Sequence, residues 1–212
     1  NNEYVFRSMM AYDICRTATA SFETMENFWE NENLPKSYGW LAIKCYYAAF
    51  FSANSIMRCF GYMCSHLERG HVQLLNDYSE AVGLPSNIKI ESGYFCGHHT
   101  SGDRLLTLKK MNSSTHEETW FWLVKCLEDI SRKVLSVKGV TSKIQSFSAE
   151  IDGIVLMLKD GGRLSKGNYL SQFRNAINYR QEHCAWHPYG KNSIKVEKIL
   201  ALTKNWKKID IP

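Results

Sequence analysis

Proline is scarce, with four residues in a chain of 212, so long stretches lack the residue that most sharply breaks a helix. No apolar run reaches the roughly 20 residues that a bilayer-spanning helix needs. The most apolar stretch, Tyr46 to Phe60, carries Arg58 and is too short. Internal repeats, low-complexity tracts and a glycine-rich phosphate loop are also missing, which excludes solenoid arrays and a phosphate-cradling turn. No basic, apolar, small-residue leader pattern opens the sequence. A disulfide framework is absent as well. The seven Cys, at 15, 45, 59, 64, 96, 126 and 184, are odd in number and several sit in apolar helical runs. Reduced thiols and a cytoplasmic location are therefore expected.

What remains is an ordinary globular composition. Hydrophobic residues make up 44% of the chain, enough for one buried core, and a single domain over 1–212 is expected. Charge is uneven. From Arg174 to Pro212 eight Lys or Arg face three acids, a net of +5, which equals the whole-chain value, so the first 173 residues are balanced. A basic end suggests an anionic partner such as RNA, DNA or a nucleotide; the alternative is a solvated lysine-rich helix.

The periodicity is mostly helical. A helix is predicted from about residue 3 to 30, ended by Asn31-Glu32-Asn33-Leu34-Pro35. A second, apolar almost all round and so central, is predicted over about 39–62. A shorter amphipathic piece starts at Gly70-His71 and ends near Gly83-Leu84-Pro85. From 85 to 114 the pattern fails, and an irregular insertion or loop is expected, with a short strand at Ile88-Lys89-Ile90. Trp120, Leu123, Val124, Leu127, Ile130 and Val134 then form a 3.6-residue stripe, and Ile144, Phe147, Ile151, Ile154 and Leu158 form another, closed by Gly161-Gly162. A further helix is predicted from near Asn168 to about Trp186, and a last one after Asn192 or Ser193 with Ile199, Leu200 and Trp206. The fold class expected is all-α.

The densest chemistry lies in Arg180-Gln181-Glu182-His183-Cys184-Ala185-Trp186-His187-Pro188-Tyr189. A guanidinium, two imidazoles, a carboxylate and aromatics are gathered at the end of the predicted helix. Upstream, Arg174, Asn175 and Asn178 offer polar groups while Phe173, Ala176 and Ile177 can face a core.

Two pieces together resemble HEPN (higher eukaryotes and prokaryotes nucleotide-binding) domains. The run Tyr46-Tyr47-Ala48-Ala49-Phe50-Phe51-Ser52-Ala53, followed by Gly61, is similar to the family's Tyr-Tyr-Ala-x-Phe-x-Ala helix, and Arg174-Asn175 resembles the arginine–polar pair that opens its Arg-x(4–6)-His signature. Counted from Arg174, the His positions hold Tyr179, Arg180 and Gln181; counted from Arg180, six residues intervene before His187. The resemblance implies an up-and-down helical bundle, usually dimeric, and in active members a metal-independent ribonuclease of toxin–antitoxin or phage-defence systems. Two alternatives stand beside it: a silent HEPN-like module binding a nucleotide or a nucleotidyltransferase partner, and a helical scaffold subunit.

The ribonuclease reading assigns acid–base and phosphate-holding roles to Arg180, His187 and His183. RNA or nucleotide contacts go to Arg174, Asn175, Asn178, Tyr179, Trp186, Tyr189 and Lys191. Each has a structural counterpart: Trp186 and Tyr189 packing at a helix stop, the arginines in ion pairs, the imidazoles as helix caps. Two His/Cys groups, Cys59/Cys64/His66/His71 and Cys96/His98/His99, lack the paired short spacings of a zinc finger, so no metal or other cofactor is expected.

Overall fold

The computed structural model describes residues 2–26, 38–83, 90–100, 105–112, 114–183 and 186. The chain runs α1 (Asn2–Met25), α2 (Tyr38–Cys59), β1 (Tyr62–Leu67), α3 (Arg69–Ala81), β2 (Gly93–Thr100), β3 (Leu105–Lys110), α4 (Thr115–Leu135), α5 (Ser142–Leu158) and α6 (Tyr169–Arg180). Among the described residues helix accounts for 68% and strand for 12%, so the all-α expectation is overturned by a three-stranded antiparallel sheet of order β1-β2-β3.

The sheet arises where sequence periodicity is weakest. The expected helix over 39–62 stops at Cys59, and the chain turns through Phe60 and Gly61 into β1. Gly61 has φ +80°, and a Cβ there would meet the His99 carbonyl oxygen at 2.6 Å, so this turn needs glycine. The segment expected to be an irregular insertion holds β2 and β3. Of the short strand expected at 88–90, residues 88 and 89 lie outside the described residues, and Ile90 precedes β2 without joining it. Gly93 and Gly97 make β2 read as a loop. In the sheet, a Cβ on Gly97 would press on Met63, Leu108 and Leu106 at 3.0–3.4 Å, so the small residue is where neighbouring strands close over β2.

The core is built on α4, which packs on α2, α5, α6 and the sheet. Ser114 caps α4 by accepting from the Glu117 N–H, with Glu117 and Glu118 in the first turn and Arg132 and Lys133 in the last, signs that suit the helix dipole. Its predicted stripe is realised: Trp120, Leu123, Val124 and Leu127 are buried with Met57 of α2 and Cys96 of β2. The α5 stripe is shifted. Ile151 and Leu158 are buried, but Phe147 and Ile154 are exposed and Ser148 and Val155 take the inner positions. The choice falls to a buried polar seam in which the Ser131 and Ser148 hydroxyls meet at 2.7 Å and Ser131 donates to Asp152 at 2.9 Å.

Helix α1 lies along α2, fixed by an ion pair between Asp13 and Arg58. The Arg58 guanidinium is almost fully buried and also donates to the Asn54 side chain at 2.9 Å. The predicted first helix ends early, at Met25; residues 27–30 lie outside the described residues, as does the last predicted helix after Asn192. Helix α6 ends at Arg180, short of the predicted Trp186. Gln181 takes a left-handed conformation (φ 52°, ψ 33°) and His183 another (φ 62°). The N–H of Glu182 returns to the Ala176 carbonyl at 3.1 Å, closing the last turn. Among the described residues no helix is long and apolar enough to cross a membrane.

Candidate functional site around Arg174 and His116

Helix α6 buries Ala176 and Ile177, the latter beside Ile43 of α2. That contact orients the half-buried Arg174 and Asn175 toward the aromatic stretch in the middle of α2. Arg174 donates from Nη1 to Asn175 Oδ1 at 2.8 Å and from Nη2 to the Tyr47 hydroxyl at 3.4 Å. Its guanidinium carbon lies 6.0 Å from the Tyr46 ring centre and 5.4 Å from that of Tyr179. The third nitrogen, Nε, is buried and has no hydrogen-bond partner among the described residues. An orphaned charged N–H is costly, so such a group awaits an acceptor.

His116 enters from the first turn of α4. Its Nδ1 lies 2.8 Å from the Tyr46 hydroxyl, which also accepts from the Trp120 indole at 3.3 Å. The ring packs 4.7 Å from Phe50 and 6.3 Å from Tyr47, centre to centre. Burial, and then the nearby Arg174 charge, hold its pKa below the usual imidazole value, so the ring is neutral at physiological pH. With Trp120 donating to the Tyr46 oxygen, the phenolic proton is free to point at Nδ1, which puts the His116 proton on Nε2. Rotation of the hydroxyl serves the other tautomer. Burial raises the Tyr46 pKa, so the phenol stays protonated. For Arg174, burial opposes the charge, yet the Tyr47 hydrogen bond and the surrounding tyrosines raise its pKa overall.

Three helices distant in sequence thus bring together an arginine, an imidazole and two phenols. His116 was missed by sequence reasoning, although the signal was present: it extends the α4 stripe N-terminally, four residues before Trp120.

The residues singled out from the sequence are placed as follows. Arg174 and Asn175 lie in this site, and Tyr179, largely exposed, flanks it over the Arg174 guanidinium. Asn178 is half-buried on α6. Arg180 is 70% exposed and meets Glu182 at 3.9 Å; an ion pair this open contributes little. The His183 ring lies 5.4 Å from Phe173. Trp186 folds back on the helices, donating from Nε1 to the Ile177 carbonyl at 2.7 Å and meeting Trp40 edge-on at 5.4 Å. It locks α6 to α2 rather than presenting a face to a ligand. His187, Tyr189 and Lys191 lie outside the described residues, so the Arg180–His187 pair cannot be placed.

Neither His/Cys group gathers as a metal centre: among the described residues no three His, Cys, Asp or Glu side chains are grouped to hold an ion. Cys59 is exposed, whereas Cys64 and Cys96 turn into the core.

Compared with known proteins, the chain matches no family model, no curated protein and no solved structure.

Proposed function

We propose that the chain acts on RNA as a ribonuclease of the HEPN kind, with Arg174 and His116 as its working pair. The observation that carries this reading is the convergence on one spot of a neutral imidazole, held through Tyr46, and a guanidinium with an unpartnered buried N–H. In the tautomer that donates from Nδ1 to the Tyr46 hydroxyl, the neutral imidazole leaves Nε2 free to take the proton of an RNA 2′-hydroxyl. The 2′-oxygen then attacks the adjacent phosphorus and the bond to the 5′-oxygen breaks. The products are a 2′,3′-cyclic phosphate and a 5′-hydroxyl, whose proton comes from solvent or from the imidazolium formed in the first step. Arg174 faces the charge that grows on the non-bridging oxygens, a role to which a guanidinium's fixed positive charge is suited. Tyr179, exposed beside it, offers a face on which a base can stack.

The test is cleavage of single-stranded RNA by the full chain and by Arg174→Ala and His116→Ala. Each substitution is expected to cut the rate by a factor on the order of 10² or more while leaving the circular dichroism native. Arg180→Ala, on an exposed ion pair, is expected to change it little. If Arg180→Ala abolishes cleavage while the other two variants cut normally, the site lies with Arg180 instead.

A further inference from the structure

The sheet carries a device that this reading does not use. Strands β1 and β2 are antiparallel with Gly93 opposite Leu67 and His98 opposite Tyr62, which sets Cys64 directly opposite Cys96. The His99 N–H donates to the Gly61 carbonyl at 2.9 Å, so residues 61 and 99 form a hydrogen-bonded pair. Alternation along an antiparallel ladder then makes 62/98, 64/96 and 66/94 the non-hydrogen-bonded pairs, where side chains come closest. The neighbours bear this out: the Tyr62 and His98 rings stack at 4.1 Å, and those of His66 and Tyr94 lie 4.5 Å apart.

At such a position the Cα atoms sit roughly 4.5 Å apart, inside the range a disulfide spans but at its short end. Both side chains are buried, Cys64 at 6% and Cys96 at 1% exposure, and the Cys96 thiol donates to its neighbour's carbonyl, Gly97, at 3.8 Å. Cys126 is also buried in the same core, but it projects from α4 and has no cross-strand partner. Cys15, Cys45 and Cys59 are exposed.

We propose that Cys64 and Cys96 are a reversible redox site that closes into a cross-strand disulfide when the thiol–disulfide balance turns oxidising. With oxidised glutathione as the co-reactant, the step balances. Cys64, on the edge strand, loses its proton and attacks one glutathione sulfur; the glutathione S–S bond breaks and one glutathione thiolate leaves. Deprotonated Cys96 then attacks the Cys64 sulfur and expels the second. Two protein thiols are oxidised, and one glutathione disulfide becomes two thiols. Both sulfurs are buried, so a glutathione disulfide reaches them only when the β1 edge opens, and closure is slow. The same exchange run in reverse with excess reduced glutathione reopens the bond, which makes it a switch rather than a permanent staple.

The experiment incubates the reduced full chain with oxidised glutathione, blocks remaining thiols, and maps peptides by mass spectrometry. The expected result is a 64–96 link that forms more slowly than glutathione adducts at Cys15, Cys45 and Cys59, disappears with dithiothreitol, and raises the melting temperature by roughly 5–10 °C. Cys64→Ala should lose the link and keep the adducts; if that variant does not fold, the wild-type map still decides. Recovery of Cys64 and Cys96 as free thiols from folded protein at full oxidation of the exposed three, or a link from either to Cys126, would overturn the proposal. RNA cleavage does not enter this readout, so its outcome is independent of the ribonuclease reading.

Discussion

Replacing Tyr46 by Phe removes one oxygen from the centre of the site, and its effect can be worked from the contacts. That oxygen accepts from the Trp120 indole at 3.3 Å and lies 2.8 Å from His116 Nδ1. Trp120 is 1% exposed, so its N–H cannot turn to water, and an unsatisfied buried donor costs about 1–3 kcal/mol. His116 is half-buried and can recruit water, so its share is nearer 0.5 kcal/mol. Relief of the buried hydroxyl offsets part of this. The net loss is about 2 kcal/mol, a factor of about 30 in the folding equilibrium. With a urea slope near 2–3 kcal/mol/M, the unfolding midpoint should fall by about 0.8 M, and the melting temperature by about 4–8 °C. Tyr47→Phe is the comparison: its hydroxyl has only the long 3.4 Å bond to Arg174, and its midpoint should move by less than about 0.2 M. Urea titrations followed by circular dichroism read both. Equal midpoint shifts for the two variants, or no shift for Tyr46→Phe at an unchanged slope, would refute the network as described.

Two further outcomes follow from charge and shape. His116 has a folded pKa below its unfolded value, from burial and then Arg174; the folded state binds fewer protons there. Its stability contribution is fully present above about pH 6.5 and is lost as pH falls through the lower folded value. His98, depressed by burial and Lys133, has the same sign, so His116→Gln should remove only part of the loss seen in urea titrations between pH 7.5 and 5. By the same depression the acid limb of any cleavage rate profile should fall below pH 6.5. Gly39→Ala should destabilise despite better helix propensity, because its Cβ would lie 2.6 Å from the Trp186 ring. Gly153→Ala, with nothing within 4 Å of its Cβ, should stabilise by up to about 1 kcal/mol. Thermal melts with tryptophan fluorescence distinguish the two, and a stabilising Gly39→Ala would mean that Trp186 does not pack there.

The sequence by itself determined the long-range helical order. The α2 and α4 apolar patterns and the Asn168 start of α6 are local signals, since a helix's hydrogen bonds close within a few residues and its buried face repeats every 3.6. Strands have no such self-sufficiency. Tyr62, Cys64, Phe95 and Cys96 mean little until β1 and β2 pair, and a six-residue strand such as β1, directly after an apolar helix, is swallowed by its pattern. That is why the sheet was read as helix end and loop. The α5 face was also a tertiary choice, because Phe147 with Ile154 and Ser148 with Val155 fit the same period and only the Ser131–Ser148 seam against α4 selects between them. The site divides in the same way. Arg174 and Tyr46-Tyr47 stood out as residue types in a pattern, but their union with His116 needed three helices to fold together. The end of α6, set by the left-handed Gln181, turned Arg180 outward and brought Trp186 back onto Gly39, because whether the chain continues or reverses depends on what the last turn can pack against.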